Sequence, residues 1–172
     1  IAPLQAYGSG KMQYYGYKNT QDHPTKSAVI GLVSSALGYP RGDKRITVLN
    51  KELKISIRID QKGTLMTDYQ TTKSGSGKPS ESYISHKQYI QDAIFLVAIE
   101  SKDRVLVEKI REAIKKPKWS LALGKRNCVP SEPLLEGGII EGKSVEEVFK
   151  EYKWLAKSWY RQSHMITSLD AY

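Results

Sequence analysis

The chain has 172 residues, 40% of them hydrophobic, and 27 basic against 18 acidic side chains give a net charge of +9. That length suffices for one domain with a real core, at most with an appendage, and the hydrophobic share excludes a disordered chain. No apolar run approaches the roughly 20 residues of a membrane span, and a lone cysteine, Cys128, excludes an internal disulfide.

Three scattered histidines and one cysteine argue against a Cys/His metal centre, and the cysteine usage fits a reducing cytoplasm. No signal peptide is expected, since residues 1–8 contain Pro3, Gln5 and Gly8 and lack a charged start; with Ile1 in place of methionine, the native start is expected upstream. The charge is segregated. Residues 1–58 carry nine cations, Lys11, Lys18, Lys26 and Arg45 among them, against Asp22, Asp43 and Glu52. Residues 109–126 are basic again, and 132–147 reverse sign with five glutamates against Lys143. A basic face meeting a polyanion is one reading of this pattern, and a basic surface kept for solubility is the other.

In chain order, residues 7–23 hold three glycines and four tyrosines and read as a long loop. Residues 25–37 read as a helix capped by Thr25, with Ala28, Val29, Leu32, Val33, Ala36 and Leu37 at helical spacing and Gly38 just past its end. Residues 52–60 alternate: Leu53, Ile55, Ile57 and Ile59 face a core, while Lys54, Ser56, Arg58 and Asp60 face solvent. Lys62 and Gly63 signal a turn, with 64–71 returning as the hairpin partner. Residues 72–82 are too polar to order themselves. The run Ala93–Ile99 reads as a central strand buried on both faces. Residues 103–116 form a helix begun at Asp103 and stopped by Pro117. Trp119, Leu121 and Leu123 alternate as a short strand, and 144–157 reads as a helix with a capping box at Ser144 and Glu147. Strands and helices alternating around one sheet fit an α+β, ferredoxin-like (RRM-like) split βαβ domain, a fold that settles no function.

Four segments could carry chemistry. Glycines and Lys11 in Ala6-Tyr7-Gly8-Ser9-Gly10-Lys11 could approach a phosphate, and Tyr7, Tyr14, Tyr15 and Tyr17 could stack on bases; the alternative is an ordinary loop whose tyrosines pack inward. Lys26 and Ser27 at a helix start make an anion site, or Thr25 simply caps the helix. Lys125 and Arg126 follow Gly124, where backbone and side chains could reach phosphates, or they form a solvated turn. His86 and Lys87, with Tyr83 and Tyr89 nearby, could cleave RNA without metal, the His moving protons and the Lys stabilising charge; the alternative is a polar lead into a strand. No nucleophile elbow, zinc motif or phosphate-binding Walker loop is present in the sequence.

Taken together, Ala2-Pro3-Leu4-Gln5-Ala6-Tyr7-Gly8, His23-Pro24-Thr25-Lys26-Ser27 running on to Gly38, Asp68-Tyr69-Gln70-Thr71, Tyr89-Ile90-Gln91-Asp92-Ala93-Ile94-Phe95 and Leu123-Gly124-Lys125-Arg126-Asn127-Cys128-Val129-Pro130 resemble, in that order, the CasD family. That family supplies the Cascade subunit at the guide 5′ end in type I-E CRISPR systems. The resemblance covers about residues 2–136 and implies a RAMP-superfamily domain over 1–136, with a protruding thumb at about 70–90. Residues 137–172 are left as a poorly matched helical or strand extension. It further implies binding of the CRISPR RNA 5′ handle through Gln5, Tyr7, Gly8, Lys26, Ser27, Lys125 and Arg126. The partners implied are the neighbouring backbone subunit and the large PAM-reading subunit, with target DNA met only indirectly; no cofactor or membrane is implied. In type I-E systems another subunit cuts the precursor RNA, so a non-catalytic role is expected. The related type I-C protein is itself a metal-independent ribonuclease, which keeps His86, Lys87 and Tyr89 as the catalytic alternative.

Overall fold

A computed structural model describes residues 1–8, 16–73, 82–135, 137–164 and 168–172, with backbone alone at 72–73 and 82–83. Lys11, Tyr14, Tyr15 and most of the expected loop at 72–82 lie outside the described residues. The architecture is mixed α+β, as expected. Its elements are β1 (Leu4–Gln5), β2 (Tyr7–Gly8), β3 (Tyr17–Lys18), β4 (Thr20–Gln21), α1 (Lys26–Leu37), α2 (Lys44–Glu52), β5 (Lys54–Gln61), β6 (Thr64–Lys73), β7 (Ser82–Gln91), β8 (Ile94–Glu100), α3 (Arg104–Lys115), α4 (Val145–Glu151) and α5 (Ser158–Ser163). The segment 7–23, read as one loop, thus contains three two-residue strands.

Helix α1 forms as its sequence dictates. Thr25 accepts from the Ala28 amide, and Gly38 takes the left-handed conformation (φ 74°) while its amide bonds Ser34 and Ser35 carbonyls. α2 was not expected; Asp43 caps it, but only Ile46 and Leu49 point inward, too few to mark a periodicity. α3 begins at Asp103 as expected and buries Ile110. All three helices pack around Ile30, Val33, Tyr39, Leu49, Leu53 and Ile110, against Ile55 of β5 and Ile99 of β8.

The strands pair differently from expectation. β5 pairs antiparallel with β8, from Lys54↔Glu100 to Ile59↔Phe95, and not with 64–71. β6 instead pairs with β7 over ten residues, Thr64↔Gln91 through Lys73↔Ser82. The reason is edge occupancy. The free edge of β5 is taken by the chain's last residues, with Ile57 and Tyr172 exchanging backbone hydrogen bonds (2.7 and 2.8 Å) and the Ile59 amide donating to Asp170 (2.9 Å). β1 and β3 add to the other edge of β7, antiparallel and parallel respectively. β8 is not a strand buried on both faces: Ala93 and Ile94 are sequestered, but Phe95 to Ile99 are half-buried, and among the described residues β8 pairs with β5 alone.

Between β7 and β8 the chain turns at Asp92, whose φ of 54° is the left-handed conformation that aspartate tolerates. Two buried glutamines satisfy the carbonyls of this corner: Gln61 Nε2 donates to Asp92 O (2.6 Å) and Gln5 Nε2 to Ala93 O (2.7 Å).

The polar face of β5 is not solvated. Arg58 is 3% and Asp60 0% exposed, and they pair directly (Nε–Oδ1 2.7 Å, Nη2–Oδ2 2.8 Å). A bulge between Ile59 and Gln61 breaks the alternation, so Asp60 and Gln61 are buried in succession. The C-terminal residues cover this face. Arg58 donates to the carbonyls of Phe149, Tyr152 (2.9 Å) and Lys153 (2.8 Å), Leu155 N donates to Asp60 Oδ2 (2.7 Å), and Trp154 Nε1 donates to Asp60 O (2.6 Å). The expected helix at 144–157 therefore ends at Glu151, although its capping box is present, and α5 follows separately. The guanidinium takes the carbonyls of α4's end that a longer helix would have used itself.

No strand forms at 119–123. The amides of Lys118 and Trp119 bond the last carbonyls of α1 (2.9 and 3.3 Å), which holds this segment on a helix end rather than a sheet edge. Among the described residues, no helix is long and apolar enough to cross a membrane.

Candidate nucleic-acid interface

The site is built on one close backbone approach. The Ala6 amide donates to Leu123 O (3.2 Å), the Leu123 amide to Cys128 O (2.8 Å), and the Cys128 amide to Lys125 O (2.9 Å). Gly124 sits at φ 94°, and a Cβ there would lie 1.7 Å from Ala6 O. Only glycine lets the 123–128 loop lie so flat on β1 and β2. Buried Cys128 anchors its far end, and burial raises that thiol's pKa.

The loop delivers Lys125 to the β6–β7 ribbon. Its Nζ donates to Gln88 O (3.2 Å) and lies 4.3 Å from the centre of the Tyr89 ring. Strand period and register bring two more lysines to that face: Lys18 is registered with Lys87, and Lys87 with Asp68. Desolvation, then the charges of Lys18 and Lys87, lower the pKa of Lys125 below its ordinary 10.5, with Cys128 and Asp68 opposing. Three cations from distant parts of the chain therefore gather beside an aromatic ring, where Asn127 donates to Tyr89 Oη (3.1 Å). The other ribbon face is aromatic: Tyr17 stacks on His86 (4.4 Å, 7°), exposed Tyr69 meets His86 edge-on (5.2 Å), and Leu65 and Ile84 are exposed.

The residues singled out from sequence divide into three groups. Gln5 and Tyr7 are core, 1% and 4% exposed, and bonded to each other (Tyr7 Oη to Gln5 Oε1, 2.7 Å), so their side chains position the corner. Gly8 is exposed at the end of β2. Lys26 and Ser27 are exposed on the first turn of α1, and Arg126 is exposed on the loop; among the described residues neither Lys26 nor Arg126 is held by an ion pair or hydrogen bond. Ala28 and Leu32 of α1 pack on the same core cluster as Leu123 and Cys128, so the helix start and the loop flank one cluster. His86 and Lys87 project to opposite ribbon faces, and Tyr89 is buried on the lysine side, so these three do not converge. The meeting of Lys18 and Lys87 with Lys125 escaped the sequence reading; the signal was the two-residue period of 82–91, usable only once its partners are known.

Removing the Tyr7 hydroxyl leaves Gln5 Oε1 buried without its donor, so Tyr7→Phe is expected to cost about 1–3 kcal/mol in urea unfolding at pH 7. Burial also holds the Tyr7 pKa above its ordinary 10.0. The unfolded chain loses this proton first, so the stability it contributes is full below pH 10 and falls as pH rises beyond it. The gap between wild type and Tyr7→Phe should therefore narrow in alkaline unfolding curves.

Fold and site define an α+β protein with a long ribbon whose one face gathers lysines around a glycine-tight loop. Residues 1–171 match the family model described as CRISPR-associated protein (Cas_Cas5), and the chain belongs to that family. It is 26% identical over 151 residues to the CRISPR system Cascade subunit CasD of Escherichia coli (strain K12), covering 78% of this chain and 66% of that protein. A chain of a solved CRISPR RNA-guided surveillance complex superposes with a TM-score of 0.65 at 29% identity, over 78% of this chain and 58% of that one. A crystal structure of a Cas protein gives 0.64 at 31% identity, over 86% and 65%. The chain thus spans about two thirds or less of the length of these relatives.

Proposed function

We propose that this protein is a non-catalytic RNA-binding subunit of a Cascade-type CRISPR complex, holding the 5′ handle of the guide RNA. The observation that carries this reading is the meeting of Lys18, Lys87 and Lys125 on one ribbon face, with the Lys125 ammonium partly desolvated. Such a gathering of positive charge suits a phosphate backbone, which neutralises it with release of counterions. Family membership and the naming of its relatives as a Cascade subunit and an RNA-guided surveillance complex support the same assignment. On this reading the domain is a ferredoxin-like RAMP fold, and the β6–β7 ribbon, Thr64–Lys73 with Ser82–Gln91, belongs to its thumb, which starts earlier than the 70–90 that the resemblance implied. Lys26, Ser27, Gly8 and Arg126 extend the phosphate path, and the backbone and large PAM-reading subunits dock alongside. The separation of His86 from Lys87 across the ribbon supports binding over cleavage.

Substituting Lys18, Lys87 and Lys125 together by alanine removes three charge-assisted contacts, so handle-RNA affinity should fall by about 10²–10³. The slope of log K against log salt should shrink by about 2, at roughly 0.7 per phosphate released by a single strand. Fluorescence titration over a salt series reads both. An unchanged slope sinks the phosphate argument, whereas repeat-specific cleavage in EDTA that His86→Ala abolishes makes the protein a ribonuclease.

A further inference from the structure

A second cluster of cations lies at the far end of α1, roughly 18 Å from Lys26 at 1.5 Å per residue. Its centre is Tyr39, 9% exposed, which follows the Gly38 cap. The Arg45 guanidinium of α2 stacks 3.9 Å from the Tyr39 ring centre, and Lys109 of α3 donates to Tyr39 Oη (3.3 Å). Lys118 is fastened at the same end, its amide on Ala36 O (2.9 Å) and its side chain lying where a Gly38 Cβ would be. Arg41 of the adjoining turn and Lys44, the first residue of α2, are exposed. Two cations thus meet the Tyr39 ring, and three more, Arg41, Lys44 and Lys118, are carried by the residues next to it in the chain or at the same helix end. The acid among them, Asp43, is already occupied by Arg45 through its amide (2.8 Å) and guanidinium (2.6–3.1 Å).

Beside these charges is an exposed indole. Trp119 follows Lys118, its amide is tied to Ser35 O (3.3 Å), and its side chain is 44% exposed. A fixed backbone, a part-exposed indole and cations at the same helix end suit stacking on a base with nearby phosphates neutralised. A duplex would present phosphates without a free base face. We infer that this end of the molecule is a second nucleic-acid surface, specific for an unpaired strand, with phosphates on Arg41, Lys44, Lys109 and Lys118 and a base on Trp119. It shares no residue with the lysine cluster of the ribbon, so either can fail without the other.

The probe is a fluorescent twelve-nucleotide oligothymidylate, titrated into the full chain carrying Lys18→Ala, Lys87→Ala and Lys125→Ala. Binding is expected to persist, to weaken with salt and to quench tryptophan emission, with the quenching lost in Trp119→Phe. Adding Arg41→Glu and Lys44→Glu should lower affinity about tenfold or more and the salt slope by about 1.4, for two phosphates at roughly 0.7 each. Circular dichroism checks that each variant is folded. Ultraviolet cross-linking of the unsubstituted protein should give adducts at 118–119 as well as on the ribbon. Adducts on the ribbon alone, affinity indifferent to Arg41→Glu with Lys44→Glu, or equal affinity for a twelve-base-pair duplex would each overturn the inference.

Discussion

Asp60→Ala is expected to lower the free energy of unfolding by about 3–5 kcal/mol, the cost of leaving one member of a buried ion pair uncompensated. The substitution strands Arg58, 3% exposed, among carbonyls alone, and it takes the acceptor from the Leu155 amide. The damage should therefore spread beyond one contact. Residues 145–157 are held to β5 through Arg58, Asp60, Trp154 and the Lys157 amide on Gln61 Oε1 (3.1 Å). Hydrogen exchange of their amides should accelerate with the loss of global stability, and the Leu155 amide, which loses its acceptor, should report it directly. Urea unfolding measures the first effect and exchange mass spectrometry the second; a loss under about 1 kcal/mol would show that the pair is not what holds this segment.

Gly124→Ala should be comparably severe, at about 3–5 kcal/mol, because two penalties coincide. Its φ of 94° is one that L side chains rarely adopt, and its Cβ would lie 1.7 Å from Ala6 O and 2.6 Å from Ala6 C. Both are backbone atoms and cannot swing aside, so the 123–128 loop must lift from β1 and β2. Lys125 then leaves Gln88 and Tyr89. A thermal melt should drop, and on the proposed function RNA affinity should fall even where the protein remains folded. Wild-type stability together with wild-type binding in Gly124→Ala would refute the tight-loop account of the site.

The elements that local rules govern were legible in advance. α1 and α3 carry their own caps, Thr25 with Gly38 and Asp103, and the Ser144–Glu147 capping box marks the start of α4. β5 was visible from strict alternation. The errors cluster where a distant segment decides. Arg58 and Asp60 read as solvent-facing because alternation says nothing about what covers a strand, and here residues 149–155 cover it. The partner of β6 was misjudged because a turn at Lys62–Gly63 does not reveal that 170–172 already hold the nearer edge of β5. In the site, Lys125 was legible as a cation after a glycine, but its meeting with Lys18 and Lys87 was not, since 106 and 37 residues of chain intervene.

The amino-acid sequence by itself determined the family resemblance, the mixed α+β class, the capped helices and the surplus of positive charge, all of which follow from short-range spacing or from counting. Tertiary structure alone decided which cations share a face, that Gln5 and Tyr7 serve the core, and that the C-terminal residues close β5. Long-range pairing depends on which strand edges and buried polar groups remain unsatisfied once the rest of the chain has packed, and no local pattern contains that information.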